Sequence, residues 1–320
     1  MIETVIHRLA ANVPDPAIIA EAATLLRAGG LVAFPTETVY GLGANALDPV
    51  AVARIYTVKG RPAANPLIVH VSYPVAAREL CSEWPAFAER LAAAFWPGPL
   101  TLVLAKSDIV PSIVTAGGPT VAMRCPAHPV ARALIAAAGV PVAAPSANRS
   151  GQLSPTRADH ALAALGGMIE MILDGGPCDR GLESTVVDVR GPIVRVLRPG
   201  PITAVELEAV VGPVVHGSAN EPGLISPGLL NRHYSPRTPL ELAVSGDEAD
   251  FLTRTYELAG LRVARLAFKS DASAAGVELF ARLHELDGKG VHRIIAVLPP
   301  ETDDWRAVRD RLTRAAAEES

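Results

Sequence analysis

Apolar residues recur along residues 15–205 in two rhythms: short runs of strand length, and longer stretches with a helical repeat. AIIAEAATLLRAG, PVAVARIYTVKG and HPVARALIAAAG read as amphipathic helices, the first stopped by Gly29 and Gly30. AFAERLAAAFWPGP reads as a helix broken by proline. Between them LVAFPTE, NPLIVHVS, LTLVLAK, TVAMRCP, PVAAPSAN, MIEMILDGG and STVVDVRG have the content of buried strands. Strands interleaved with helices predict an α/β or α+β domain over residues 1–211.

The rhythm stops at residues 212–239, where five prolines and four glycines leave no helical or strand period. That is linker composition. It resumes over 240–320 as LELAV, DEADFLTRTYELAG, RVARLAF, AGVELFARLHELDGKG, RIIAVLPP and DWRAVRDRLTRAAA. This β-α-β-α-β-α order predicts a second, small domain with a parallel sheet. It carries no GxGxxG, so no dinucleotide site is expected there.

Composition sharpens this picture in three ways. A chain of 320 residues with 49% apolar content has room for about two cored domains. The net charge of −4 argues against a protein that coats nucleic acid. The C-terminal 81 residues hold 11 basic and 15 acidic side chains and account for all of it. Three widely spaced cysteines, Cys81, Cys125 and Cys178, make neither a disulfide framework nor a CxxC metal pair. With no basic-then-apolar leader and no run near ~18 apolar residues, a cytoplasmic protein without a membrane span is expected.

Polar residues set in loops between such strands are the candidates for chemistry. Five segments stand out: Pro35–Gly43, Lys59–Arg61 with Asn65–His70, Thr120–Pro126, Pro145–Asn148 with Ser154–Thr156, and Gly181–Thr185. Their hydroxyls, glycines and cations suit a polyanion held without a Walker loop, since GxxxxGK[ST] is absent. Only four of the 29 basic residues are lysines, so Lys59 beside Arg61 draws notice as a phosphate clamp. The same pair is also what a helix C-terminus attracts. Ser146 and Asn148 fit a helix cap as well as a site. His70 beside a strand is commonly a packed histidine. Arg124 ends an apolar strand and needs a carboxylate, from the protein or from a ligand. Nothing in the spacing brings Glu37 and Glu183 together as an acid–base pair.

Taken together and in order, PTETVYGLGANA, KGRPAANPLIVHV, SANRSGQLSPT, DGGPCDRGLESTVVD and LRPGPIT resemble the YrdC-type threonylcarbamoyl-AMP synthases. SPGLLNRHYSPRTPL resembles the linker of their long, two-domain form, although a methionine and a basic residue common after SPG are missing. The resemblance implies a twisted open α/β sheet with a large concave cavity, plus a small Rossmann-like C-terminal domain. It implies synthesis of L-threonylcarbamoyl-AMP from L-threonine, bicarbonate or CO₂ and ATP, with Mg²⁺ carried on the ATP phosphates and no protein metal site. A transfer complex acting on tRNA is the implied downstream partner, and a direct contact with RNA is compatible with it. Carried over by motif, Thr38, His70, Arg124, Ala144 and Ser184 would form the threonine pocket. Arg61, Asn65, Thr120, Ser146, Asn148, Ser154 and Arg198 would contact ATP, with Lys59 and Arg61 as catalytic cations. Tyr234, after His233, would fold over the nucleotide as a lid. Two rivals are a module that clamps RNA without chemistry and a maker of carbamoyl-AMP. The chain's 14 aromatic residues give the first little to stack on, and the zinc-finger and acylphosphatase-like segments that accompany the second are absent.

Overall fold

The computed structural model describes residues 2–217, 234–268 and 271–317. His233 therefore lies outside the described residues. In the first part, polar caps open several helices and glycines close them. Asp15 caps α1 (Pro16–Arg27), and Asp48 caps α2 (Pro49–Lys59) by accepting from the Val50 and Ala51 amides. Helix α2 ends on Gly60 at φ +62°, the left-handed turn that glycine takes without strain. Helices α3 (Pro74–Glu79), α4 (Ala86–Phe95), α5 (Pro129–Ala138), α6 (Ala158–Leu165) and α7 (Ala204–Val211) complete this part.

Eleven strands form one mixed sheet. They are β1 (Val5–Arg8), β2 (Val32–Phe34), β3 (Gly41–Asn45), β4 (Ile68–His70), β5 (Leu100–Ala105) and β6 (Thr120–Arg124). Then come β7 (Val142–Ala143), β8 (Met171–Asp174), β9 (Thr185–Asp188), β10 (Val194–Arg198) and β11 (Val214–His216). Their spatial order is β1-β8-β2-β3-β7-β4-β6-β5-β9-β10-β11. Most central strands are buried on both faces, which is why they read as unbroken apolar runs rather than alternations.

Two segments differ from the sequence expectation. Gly41–Asn45, read as part of a polar loop, is a strand: a Cβ on Gly43 would come within 2.8 Å of the Phe34 ring, so only glycine lets β2 and β3 pair there. Val214–His216 sits inside the proline-rich stretch and adds a parallel edge strand to β10. Isolated strands of three residues carry too little periodicity to be seen.

The C-terminal part follows the expected alternation. Strands β12 (Leu240–Ala243), β13 (Val263–Leu266) and β14 (Arg293–Val297) form a parallel sheet ordered β12-β14-β13. Helices α8 (Gly246–Leu258), α9 (Ala272–Asp287) and α10 (Arg306–Ala316) pack on it. The core of this part is not its own: Val39, Leu153 and Leu182 from the first part join Leu279, Phe280 and Leu283 of α9 in one cluster. Gly181, at φ +69°, brings its backbone so close to α9 that a Cβ would lie 2.4 Å from the Val277 carbonyl oxygen. Among the described residues no helix is long and apolar enough to cross a membrane.

Candidate active site

Parallel pairing of β4 with β6 sets His70 beside Arg124 at the carboxyl ends of both strands. Ligand sites of open α/β sheets lie at such ends. The loop after β2 brings Thr36 and Thr38 over them, and Ser184 arrives just before β9. One cavity results, lined by Thr38, His70, Arg124, Ala144 and Ser184 together with Arg61, Ser146, Glu183, Arg198 and Tyr234. All five residues expected for threonine, and four of those expected for ATP, thus meet at one place.

Arg124 finds its carboxylate inside the protein. Its Nη2 lies 2.7 Å from Glu37 Oε1, Nη1 donates to Thr38 Oγ1 at 2.8 Å, and Nε donates to the Gly98 carbonyl at 3.2 Å. Glu37 Oε2 in turn accepts from the Ala127 amide at 3.0 Å. Thr38 also bonds Thr36, at 2.8 Å between hydroxyls. His70 is buried with Nδ1 unpartnered among the described residues. Burial, reinforced by the Arg124 charge, pulls its pKa down to about 3, so the ring stays neutral at pH 7. Ser184 Oγ bonds Thr101 Oγ1 at 2.7 Å, and Arg198 donates to both the Ser184 carbonyl and its hydroxyl. The Ala144 amide already donates to the Ile68 carbonyl, at 2.9 Å.

Arg61 has a different environment. Nε and Nη2 donate to the Asn65 carbonyl, Asn65 Oδ1 and the Pro66 carbonyl at 2.6–3.0 Å. No carboxylate lies within ion-pair distance of it among the described residues. Burial lowers its pKa to about 10. A buried guanidinium that faces a cavity with only neutral acceptors keeps an uncompensated positive charge there, which an anion would offset.

Five expected residues do not line the cavity. Lys59 is 2% exposed, and its ammonium donates to the Ser146 carbonyl at 2.6 Å, to the Asn148 carbonyl, and to Asn148 Oδ1 at 3.3 Å. It ties the C-terminus of α2 to the 146–152 loop. Burial beside Arg61 and Arg149 pulls the Lys59 pKa well below its ordinary value, while the three oxygen acceptors favour the charged form. Asn148 spends its amide on the Arg149 and Gln152 carbonyls. Asn65 serves Arg61. Thr120 starts β6, four residues and about 13 Å of strand from Arg124. Ser154 is fully buried, its hydroxyl donating to Glu183 Oε1.

Glu37 and Glu183 do not meet as a pair. Each carboxylate serves a different arginine, Glu37 holding Arg124 and Glu183 holding Arg311. Thr36 and Thr101 escaped the sequence reading, although Thr36 lies within the quoted PTET motif. No local signal marks Arg311. Among the described residues no group of three or more His, Cys, Asp or Glu side chains could hold a metal ion.

At the seam between the two parts, His160 of α6 stacks on His284 of α9 with centroids 3.8 Å apart. His284 Nε2 donates to the Ser154 carbonyl at 3.2 Å, while His160 Nδ1 accepts from the Thr156 amide at 3.4 Å. Asp159 and Arg157 flank the rings, and Asp287 acts on His284. Burial and the facing ring lower the His160 pKa to about 4, and burial lowers that of His284. Between pH 6.5 and about 4 the unfolded chain therefore binds a proton that the folded chain refuses. Stability is full above that window and falls as pH descends through it. Thermal melts should show wild type losing roughly 2 kcal/mol more than His160→Phe between pH 7 and 5. Parallel curves for the two proteins would place the titration elsewhere.

Comparison with known proteins adds an independent finding. Residues 24–200 match the family described as Telomere recombination, which groups Sua5, YciO and YrdC proteins. Residues 202–317 match the family described as Threonylcarbamoyl-AMP synthase, C-terminal domain. A threonylcarbamoyl-AMP synthase from Bacillus subtilis is 42% identical over 98% of this chain and 96% of the relative. One from Pyrococcus abyssi is 42% identical over 92% and 93% respectively. The crystal structure of Pyrococcus abyssi Sua5 complexed with L-threonine superposes with a TM-score of 0.91, at 40% identity over 98% of both chains.

Proposed function

The chain belongs to the threonylcarbamoyl-AMP synthase family, enzymes of the nucleotidyltransferase type, and from that premise we propose that it makes L-threonylcarbamoyl-AMP from L-threonine, bicarbonate and ATP. Bicarbonate takes up a proton and loses water to give CO₂. The neutral threonine amine adds to it and releases a proton, giving an N-carboxylate. That carboxylate attacks the ATP α-phosphorus in line, and pyrophosphate leaves. No covalent nucleophile is required, so what the protein supplies is placement and charge.

The observation that carries this reading is one cavity lined by two chemically distinct sets of groups. Arg124, Thr38, His70 and Ser184 gather hydroxyls, a neutral imidazole and a guanidinium, which suits an amino acid bearing a hydroxyl. Arg61 faces the same cavity with only neutral acceptors, which suits a phosphate. Arg124 takes the threonine carboxylate, and Thr38, His70 and Ser184 read its hydroxyl and amine. Arg61, Arg198 and Ser146 take the nucleotide, and Mg²⁺ arrives on its phosphates as part of that substrate. Tyr234 closes over it, and Lys59, Asn148, Asn65 and Ser154 act from behind the lining. Threonine binding by the Pyrococcus abyssi relative supports the amino-acid assignment. The product is a mixed anhydride that water destroys, so a closing cavity and a prompt hand-over to an acceptor follow from its chemistry. The resemblance to the family implies a transfer complex acting on tRNA as that acceptor.

The test is pyrophosphate release from ATP and bicarbonate with threonine, serine or valine, and mass spectrometry of the adenylate. Release with threonine should exceed that with valine by at least about a hundredfold, because valine leaves the hydroxyl-reading groups unpaired. No release with any amino acid from a folded, ATP-binding chain would overturn the reading.

A further inference from the structure

Arg311 places a charge where the packing of two apolar layers needs none. Its side chain is fully buried on α10, between Val308 and Leu312 in sequence. Nε donates to Glu183 Oε2 at 2.8 Å, Nη1 to Asp310 Oδ2 at 2.6 Å, and Nη2 to the Pro199 carbonyl at 3.0 Å. The guanidinium lies 5.1 Å from the centroid of the Tyr234 ring, which also packs on Phe280 at 5.5 Å. Tyr234 and Glu183 line the cavity, whereas Arg311 does not.

Tyr234 holds φ +65°, a conformation that a bulky side chain adopts only when its surroundings impose it. With the ring in place the cavity encloses about 50 Å³, far below the ~300 Å³ of the smaller ligand sites. Tyr234 is one of the side chains that line it, and on the synthase reading its withdrawal would widen the nucleotide end and its return would exclude water. A buried ion pair adds little net stability over an apolar filling of equal volume. What the guanidinium adds is direction, through its planar fork and its face on the ring.

Resting on the synthase reading above, we infer that Arg311 is a positioning residue: it holds Tyr234 in the cavity and fixes Glu183, so the C-terminal domain sets how the nucleotide end closes. The linkage continues from Glu183 to the Ser154 hydroxyl, and from the Ser154 carbonyl to His284 of α9. The small domain thus grips the site from two helices.

The test compares the full chain with Arg311→Met, Arg311→Lys, Tyr234→Ala and the Arg311→Met/Tyr234→Ala double variant. The readouts are kcat for pyrophosphate release and the KM of each substrate. Arg311→Met should lower kcat about tenfold while the threonine KM stays within about twofold, because the threonine end is untouched. Arg311→Lys, lacking the fork, should recover only part of the rate. In the Tyr234→Ala background Arg311→Met should cost clearly less than it does alone. The part of its effect that runs through that ring is already gone, and only the hold on Glu183 remains to be lost. Additive losses, or a wild-type kcat in Arg311→Met, would overturn the inference while leaving the synthase reading intact. If Arg311→Met does not fold, Arg311→Lys with and without Tyr234→Ala makes the same comparison. A wild-type chain without threonine-dependent release would sink the synthase reading and this inference together.

Discussion

Replacing Arg124 by alanine should raise the KM for threonine about a hundredfold and leave that for ATP within about threefold. The asymmetry comes from where the guanidinium sits. It ends β6, beside His70 in the β4 register, and donates to Thr38 Oγ1. Removing it takes away the cation that a substrate carboxylate would meet and the donor that orients a threonine hydroxyl-reading group. Glu37, only 8% exposed, is then left without its ion pair. Such a lone buried carboxylate costs about 3–5 kcal/mol if it stays charged. A second variant, Arg124→Ala/Glu37→Gln, removes that charge and should regain most of the lost melting temperature without regaining threonine binding. Steady-state kinetics and calorimetry together decide the matter. Equal weakening of threonine and ATP would show that Arg124 serves the whole cavity rather than its amino-acid end.

Lys59→Met should lower stability by about 3 kcal/mol, a fall of roughly 5–10 °C in Tm, and raise the KM for ATP more than that for threonine. Methionine keeps the stem volume and deletes three donors. The Ser146 and Asn148 carbonyls then lose their partner in a buried setting, and the 146–152 loop is freed from α2. Ser146 lines the cavity, so on the proposed assignment a loosened loop disturbs nucleotide binding before threonine binding. The alternative, that the ammonium itself touches a reacting phosphate, predicts the reverse pattern: an unchanged Tm, an unchanged KM and a collapsed kcat. Thermal melts and pyrophosphate release on the same variant separate the two.

Lys59 also shows where reading a sequence reaches its end. Its rarity among arginines points to a phosphate clamp, while its place by a helix end, taken alone, favours a plain helix terminus. In the structure it closes α2, and the three acceptors that surround its ammonium come from residues 87 and 89 positions further on, which no local spacing announces. Arg124 fared differently. A cation closing an apolar strand demands a counter-charge by electrostatics alone, and Glu37 supplies it from 87 positions earlier in the chain.

The sequence by itself determined the alternation of strands and helices, the glycine stop of the first helix, and the family through five ordered motifs. All of these are written in local periodicity and in residue types at fixed short spacings. It also named nine of the residues that line the cavity, since those motifs sit at strand ends and loops. Only the tertiary structure decided which carboxylate serves which arginine, why Ser154 and Asn148 stand behind the lining, and that Arg311 reaches Glu183 and Tyr234 from 128 and 77 positions away. Partners brought together by strand order and by domain docking leave no trace in local spacing, because the energy that selects them comes from burial shared across the whole fold.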